Sequence, residues 1–232
     1  MNDGRGDGML FLRDSESMEI LPGLREMKIF HLDLGPANKS LKDLDLTDNL
    51  VFKGYLEGMR EEFGFDIAAG GYNEERILYS RSSHFGTGEN VRTIHLGVDL
   101  WTEKGSDICA PLDGIVHSLA NNTAYRDYGP TIILEHSISN IKLYTLYGHL
   151  SSDSLEENYQ GKTVGAGEVF ARVGSEDVNG NWPPHVHFQL IRDMGAYSGD
   201  YPGVASKKDR EKFLFLCPDP NLILGLDILN KK

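Results

Sequence analysis

From Gly70-Gly71 onward the chain breaks into short β-type runs separated by Gly, Pro, Asn and Asp, with no long helical period between them. Runs of this kind are predicted at 107–119, 131–136, 142–150, 168–173 and 185–191. Without intervening helices, the pattern argues for antiparallel sheets rather than βαβ units. The expected fold class is therefore mainly β, a folded antiparallel sheet or sandwich. Before Gly70 only residues 45–64 carry a helical period. Leu50, Tyr55, Leu56, Met59 and Phe63 form one apolar stripe, Thr47 or Asp45 is the expected cap, and Gly64 the stop.

Composition narrows function. Of 232 residues, 40% are hydrophobic, enough for a real core. Acidic residues number 35 against 23 basic ones, for a net charge of −12. Nucleic-acid binding and a polybasic membrane anchor both call for the opposite balance. Two cysteines, Cys109 and Cys217, cannot build a cysteine-rich zinc module, and both read as packing residues. The first twenty residues hold no apolar run of signal-peptide length, so the expected location is the cytoplasm, or outside it if the chain is a trimmed piece.

Four of the eight histidines sit in suggestive settings. His185 and His187 lie in PPHVHF. In a strand they share one face, ~6.6 Å apart, while Val186, Phe188 and Leu190 take the other. Pro183 and Pro184 hold the entry extended. Such a pair lets one imidazole bind a metal beside a second that does not, although two ordinary strand histidines give the same pattern. His95 and Asp99 lie in HLGVD. A straight strand would part them by ~13 Å, too far for ligands at ~2.0–2.2 Å from one zinc. Gly97, midway, permits the bend that would close the gap. One histidine of the pair with His95 and Asp99 makes three ligands and leaves a fourth position for water, as in catalytic zinc sites. His149, in LYGHLS, then joins the remaining histidine as a candidate for proton transfer.

The runs HLGVD, APLDGIV, YGPTIILEH, YGHLS and PPHVHFQ together resemble the lysostaphin-type (β-lytic) zinc metallopeptidases, over about residues 91–191. The resemblance implies a barrel-sandwich hybrid fold and one Zn2+ per chain. It implies His95, Asp99 and His187 as metal ligands and His149 and His185 as catalytic histidines that do not ligate. All five positions match, unlike relatives that have lost the metal. Beyond that core, GGYNEERILYS, NGNWPPHVHFQL, YPGVA and LCPDPNLIL resemble the peptidase-like domain found fused to class III aminotransferases and kinase-like domains, here in stand-alone form. That second resemblance weakens a cell-wall substrate. The expected division is an N-terminal extension (1–69) with one amphipathic helix, a zinc metallopeptidase domain (70–217) and a C-terminal tail (218–232).

Around the site, Asn181 and Trp182 are expected in a groove wall, with Trp182 also readable as a hydrophobic cover over the core. Arg76 and Tyr79 are candidate substrate anchors. Asn38 and His31 are the donors by type if the N-terminal extension supplies a fourth ligand. His31, His84 and His117 have no evident partner, and His136 matches a family position that is not a ligand. Other signatures fail: Glu156 breaks a phosphate loop before Gly161-Lys162-Thr163, and neither His-Glu-x-x-His nor Gly-x-Ser-x-Gly occurs. Three functions compete. The first is a zinc endopeptidase on peptidoglycan cross-bridges or stem peptides. The second is a cytoplasmic zinc amidohydrolase acting on a soluble peptide, muropeptide or other metabolite. The third is a binding module without catalysis. None involves nucleic acid or a membrane, and the sequence carries no sign of oligomer state.

Overall fold

The computed structural model describes residues 12, 18–80, 85, 86 and 88–230; His84 lies outside them. Among the described residues, no helix is long and apolar enough to cross a membrane. The strands are β1 (Ile29–His31), β2 (Ile67–Gly70), β3 (Arg92–His95), β4 (Val98–Trp101), β5 (Asp107–Cys109), β6 (Gly114–Asn122), β7 (Gly129–Ile138), β8 (Ile141–Gly148), β9 (Thr163–Val164), β10 (Val169–Arg172), β11 (His185–Ile191) and β12 (Val204–Ser206). Eight form one sheet in the order β1-β2-β4-β11-β8-β7-β6-β9, and β10-β5 and β12-β3 form two small antiparallel pairs. Every pairing in the large sheet is antiparallel except β1 with β2. The mainly β, folded antiparallel class holds.

The predicted run at 107–119 is two strands. Pro111, between them, has no N–H to give a ladder, and residues 110–113 turn there. β7 and β8 join through Ser139 and Asn140, both left-handed (φ 50° and 66°), the two-residue turn that suits the twist of a hairpin. The helix α1 is Asn49–Phe63, four residues shorter at its start than expected. Its cap is Asp48, whose carboxylate accepts from the amides of Leu50 and Val51; Asp45 instead closes a local turn onto Thr47. Gly64 stops the helix in the left-handed region (φ 58°). The apolar stripe is rotated relative to the expectation. Phe52 is the fully buried residue, Tyr55, Leu56 and Met59 pack beside it, and Leu50 is 79% exposed.

The expected boundary at residue 69/70 falls inside β2, which is hydrogen-bonded between β1 and β4 in the large sheet. Ile20, Leu21 and Leu24 before it, and Ile223, Leu224 and Leu226 in the tail, share one core with Val98, Leu100, Val186, Phe188 and Leu190. The opposite face of β4 and β11 carries Asp99, Trp101, His185 and His187. That face is covered by a second cluster, in which Leu34 and Phe52 meet Tyr79, Trp101 and Trp182.

Candidate metal centre

Register sets the first contact. His187 lies directly across from Asp99, and His185 across from Trp101. Cross-strand neighbours on one face of an antiparallel pair meet side chain to side chain. His187 Nδ1 is 2.9 Å from Asp99 Oδ1. β3 and β4 belong to different sheets, so the chain bends at residues 96–97 and returns His95 Nε2 to 3.3 Å from the same oxygen. His95 Nε2 and His187 Nδ1 are 3.0 Å apart. Gly97 permits more than the bend. A Cβ there would stand 2.5 Å from His187 Cε1, so only glycine leaves room for the ring.

The outer nitrogens decide the tautomers. His95 Nδ1–H donates to the Gly71 carbonyl (3.1 Å), and His187 Nε2–H donates to Gln189 Oε1 (2.9 Å). Gln189 can only offer its oxygen, because its amide nitrogen is held by the Pro202 carbonyl and Cys217 Sγ. Three lone pairs therefore face one another with no proton between them. Burial, with Arg76 beside it, pushes His95 down to about 4, which keeps that ring neutral. Burial also works against charge on Asp99, but the Arg76 guanidinium, donating to Oδ2, outweighs it and holds the carboxyl well below its usual range. Converging acceptors of this kind repel unless a cation lies among them. A tetrahedral zinc with ligands at ~2.0–2.2 Å spaces its donors ~3.3–3.6 Å apart. One edge of the triangle has this length and the other two are a few tenths of an ångström shorter, so these residues fit a zinc ion with a small outward shift. Among the described residues no fourth carboxylate, thiol or imidazole joins the cluster. His31 lies in edge strand β1, and the Asn38 amide donates to the Asp33 carbonyl and Tyr55, so neither completes it.

His149 and His185 stand beside the cluster, with ring centres 4.1 Å apart. His149, the residue just past β8, is in the left-handed region (φ 64°). Each Nδ1–H is held by a carbonyl at 2.8 Å, of Asn179 and Pro183 respectively, so each Nε2 carries the lone pair. Burial lowers both rings, His185 to about 4; the neighbouring His185 lowers His149 further. The Trp101 ring stacks on His185 at 5.6 Å, and Trp182 meets both imidazoles edge-on at 6.3 Å.

All five residues line one cavity of about 360 Å³. Trp182, Arg76 and Tyr79 line it too. Arg76 is wholly buried behind Asp99, donating to Asp99 Oδ2 (2.5 Å), Tyr79 (2.9 Å) and Glu74 (2.7 Å). Asn181 does not reach this cavity. It sits in a left-handed turn (φ 64°), its amide 3.4 Å from the Tyr125 hydroxyl, in a separate depression with Thr47 and Asp48. His136 is far from the centre in function: Nδ1–H donates to the Asp113 carbonyl and the Thr145 hydroxyl reaches Nε2. His117 falls at a register shift in β6, beside Ser118. Of the groups sequence reasoning missed, Gln189 had a signal, since it continues the period of two from His185 and His187. Arg126 and Tyr128 lie in a turn and had none.

Comparison with known proteins places the whole centre inside one span. No curated protein matches the chain. Among solved structures, a zinc-containing peptidase from Vibrio cholerae is 26% identical with a TM-score of 0.34, over 43% of this chain and 28% of that one. The catalytic domain of lysostaphin from Staphylococcus simulans is 21% identical with a TM-score of 0.37, over 55% of this chain and 86% of that one. Residues 93–198, which hold His95, Asp99, His149, His185 and His187, match the model of Peptidase family M23.

Proposed function

We propose that the chain is a zinc-dependent hydrolase of peptide or related amide bonds, with His95, Asp99 and His187 holding the metal. The observation that carries the reading is the proton-free triangle of lone pairs at 2.9, 3.0 and 3.3 Å beside two further neutral histidines. Zinc, when bound, would supply Lewis acidity and a water of lowered pKa. The protein's own residues then have distinct work. Gly71 and Gln189 fix the ligand tautomers. Arg76 anchors Asp99 Oδ2 and so aims Oδ1 at the cluster. His149 and His185, with Nδ1–H tied to carbonyls, present Nε2 to take a proton from the attacking water and return one to the leaving amine. Trp101 and Trp182 exclude solvent from that exchange.

The substrate we favour is a small soluble peptide or muropeptide rather than intact wall. The side chains around the centre are almost entirely buried, and Leu34 and Phe52 of the N-terminal segment close one wall. Asp99→Ala should lose zinc and turnover together, whereas His149→Ala should keep zinc and lose turnover by ~10²-fold or more. Elemental analysis alongside amine release from soluble peptides tests both. Stoichiometric zinc in Asp99→Ala, or wild-type rates in His149→Ala, would overturn the assignment.

A further inference from the structure

We propose that Arg126 forms a carboxylate subsite in this cavity, so that the substrate bears a free carboxylate one or two residues from the bond that is cut. The proposal rests on the hydrolase reading above and deepens it.

Arg126 is only 3% exposed. Its Nη2 donates to the Thr47 carbonyl, while Nε and Nη1 meet no acceptor. No carboxylate pairs with it among the described residues. Asp127, next in sequence, gives its oxygen to the Tyr128 amide at 2.8 Å instead. A buried cation without a counter-charge is costly to keep, and a guanidinium is the group best shaped to take a carboxylate. Arg76 is the useful contrast: equally buried in the same cavity, it already has Asp99 and Glu74. Arg126 also has a left-handed backbone (φ 68°), rare for a long side chain, and the turn it makes sets the guanidinium over the cavity wall.

That wall adjoins the chemistry. The guanidinium carbon lies 4.2 Å above the Trp182 ring, whose Nε1 also lacks a partner. Trp182 in turn touches His149 and His185, each 6.3 Å from it between ring centres. The cation is thus one ring removed from the proton-moving histidines, a gap that one or two residues at ~3.3–3.6 Å each would span. A buried cation without a counter-charge in the cavity wall suits the carboxylate of a chain end.

Acetylated alanine di- and tripeptides, as free acids and as C-terminal amides, are the probes. The free acids should exceed the amides in kcat/KM by about tenfold or more, the scale of a charged hydrogen bond. Arg126→Gln should bring the ratio to near one by slowing the acids alone, and Arg126→Lys should retain part of it. Calorimetric binding of the same pairs to the His149→Ala protein should show the same preference without turnover. Equal treatment of acids and amides by the wild-type protein would overturn the proposal, as would a preference that survives both Arg126 variants. If Arg126→Gln does not fold, Arg126→Lys and the wild-type ratio decide. If zinc-replete protein cleaves none of the peptides, the hydrolase reading fails, and the binding preference alone decides the subsite.

Discussion

Gln189→Leu isolates what the metal centre requires of its surroundings. Gln189 touches no metal. Its Oε1 takes the Nε2–H of His187 at 2.9 Å, and this bond keeps the Nδ1 lone pair on the side of Asp99 and His95. Leucine has nearly the same volume and no acceptor. The nearest substitute is the Tyr128 hydroxyl, 3.5 Å from Nε2 and too distant for a good bond. An unpaired buried N–H costs ~1–3 kcal/mol, and the ring can escape that cost by moving its proton to Nδ1, where it blocks the metal. Loss of such a supporting partner weakens metal affinity by ~10–100-fold. That converts to about 1.4–2.7 kcal/mol less stabilisation by saturating zinc. Chelator competition would read the affinity, and unfolding with and without zinc would read the linked stability. Gln189→Glu, which keeps the acceptor, should retain zinc. Zinc affinity in Gln189→Leu within about threefold of wild type would refute the tautomer argument.

Two further predictions concern stability. Phe52 is 1% exposed and Leu50 79% exposed, so Phe52→Ala should cost ~3–5 kcal/mol and Leu50→Ala within ~0.5 kcal/mol, measured by urea unfolding. Equal losses would mean that α1 docks by the stripe the sequence suggested. Burial holds His136 below its ordinary pKa despite the Asp113 carbonyl. The unfolded chain therefore takes up a proton below pH ~6.5 that the folded chain refuses, and the stabilisation present above that pH is lost as pH falls toward the folded value. The penalty of His136→Gln should accordingly shrink from pH 7.5 to pH 5, by at most ~1.4 kcal/mol per unit. A penalty constant with pH would show that His136 does not titrate in this way.

The candidate cluster was legible in part from two short-range rules, while the choice of His187 over His185 came from the resemblance to the lysostaphin-type peptidases. The period of two put His185 and His187 on one face, and Gly97 marked where His95 and Asp99 had to fold back. The surrounding shell was legible only where it obeyed the same period, as at Gln189. Arg126, Tyr128 and the Gly71 carbonyl arrive from turns, whose side-chain directions depend on single backbone conformations such as φ 68° at Arg126. The helix failed for a related reason. Residues 45–63 contain more apolar positions than one face can bury, and the choice between Leu50 and Phe52 belongs to the surface it meets, where Trp101 takes Phe52 edge-on at 6.2 Å.

The N-terminal segment acts on the site by covering it. Its donors by type, His31 and Asn38, are engaged elsewhere, so the cluster keeps three protein donors among the described residues. What the segment does supply is a wall and a chain of hydrogen bonds. Leu34 and Phe52 line the cavity, and the Leu34 amide donates to Glu74, which holds Arg76, which holds Asp99. On the far side, the Thr47 carbonyl takes one amine of Arg126, and the nearby Lys53 pairs with Glu176. One stretch of chain thus fixes Asp99 at one end of the cavity and the unpaired guanidinium at the other. A fourth ligand from this segment would have given a plugged centre. A cover that orients both ends instead suits a hydrolase that encloses a small, free-ended substrate.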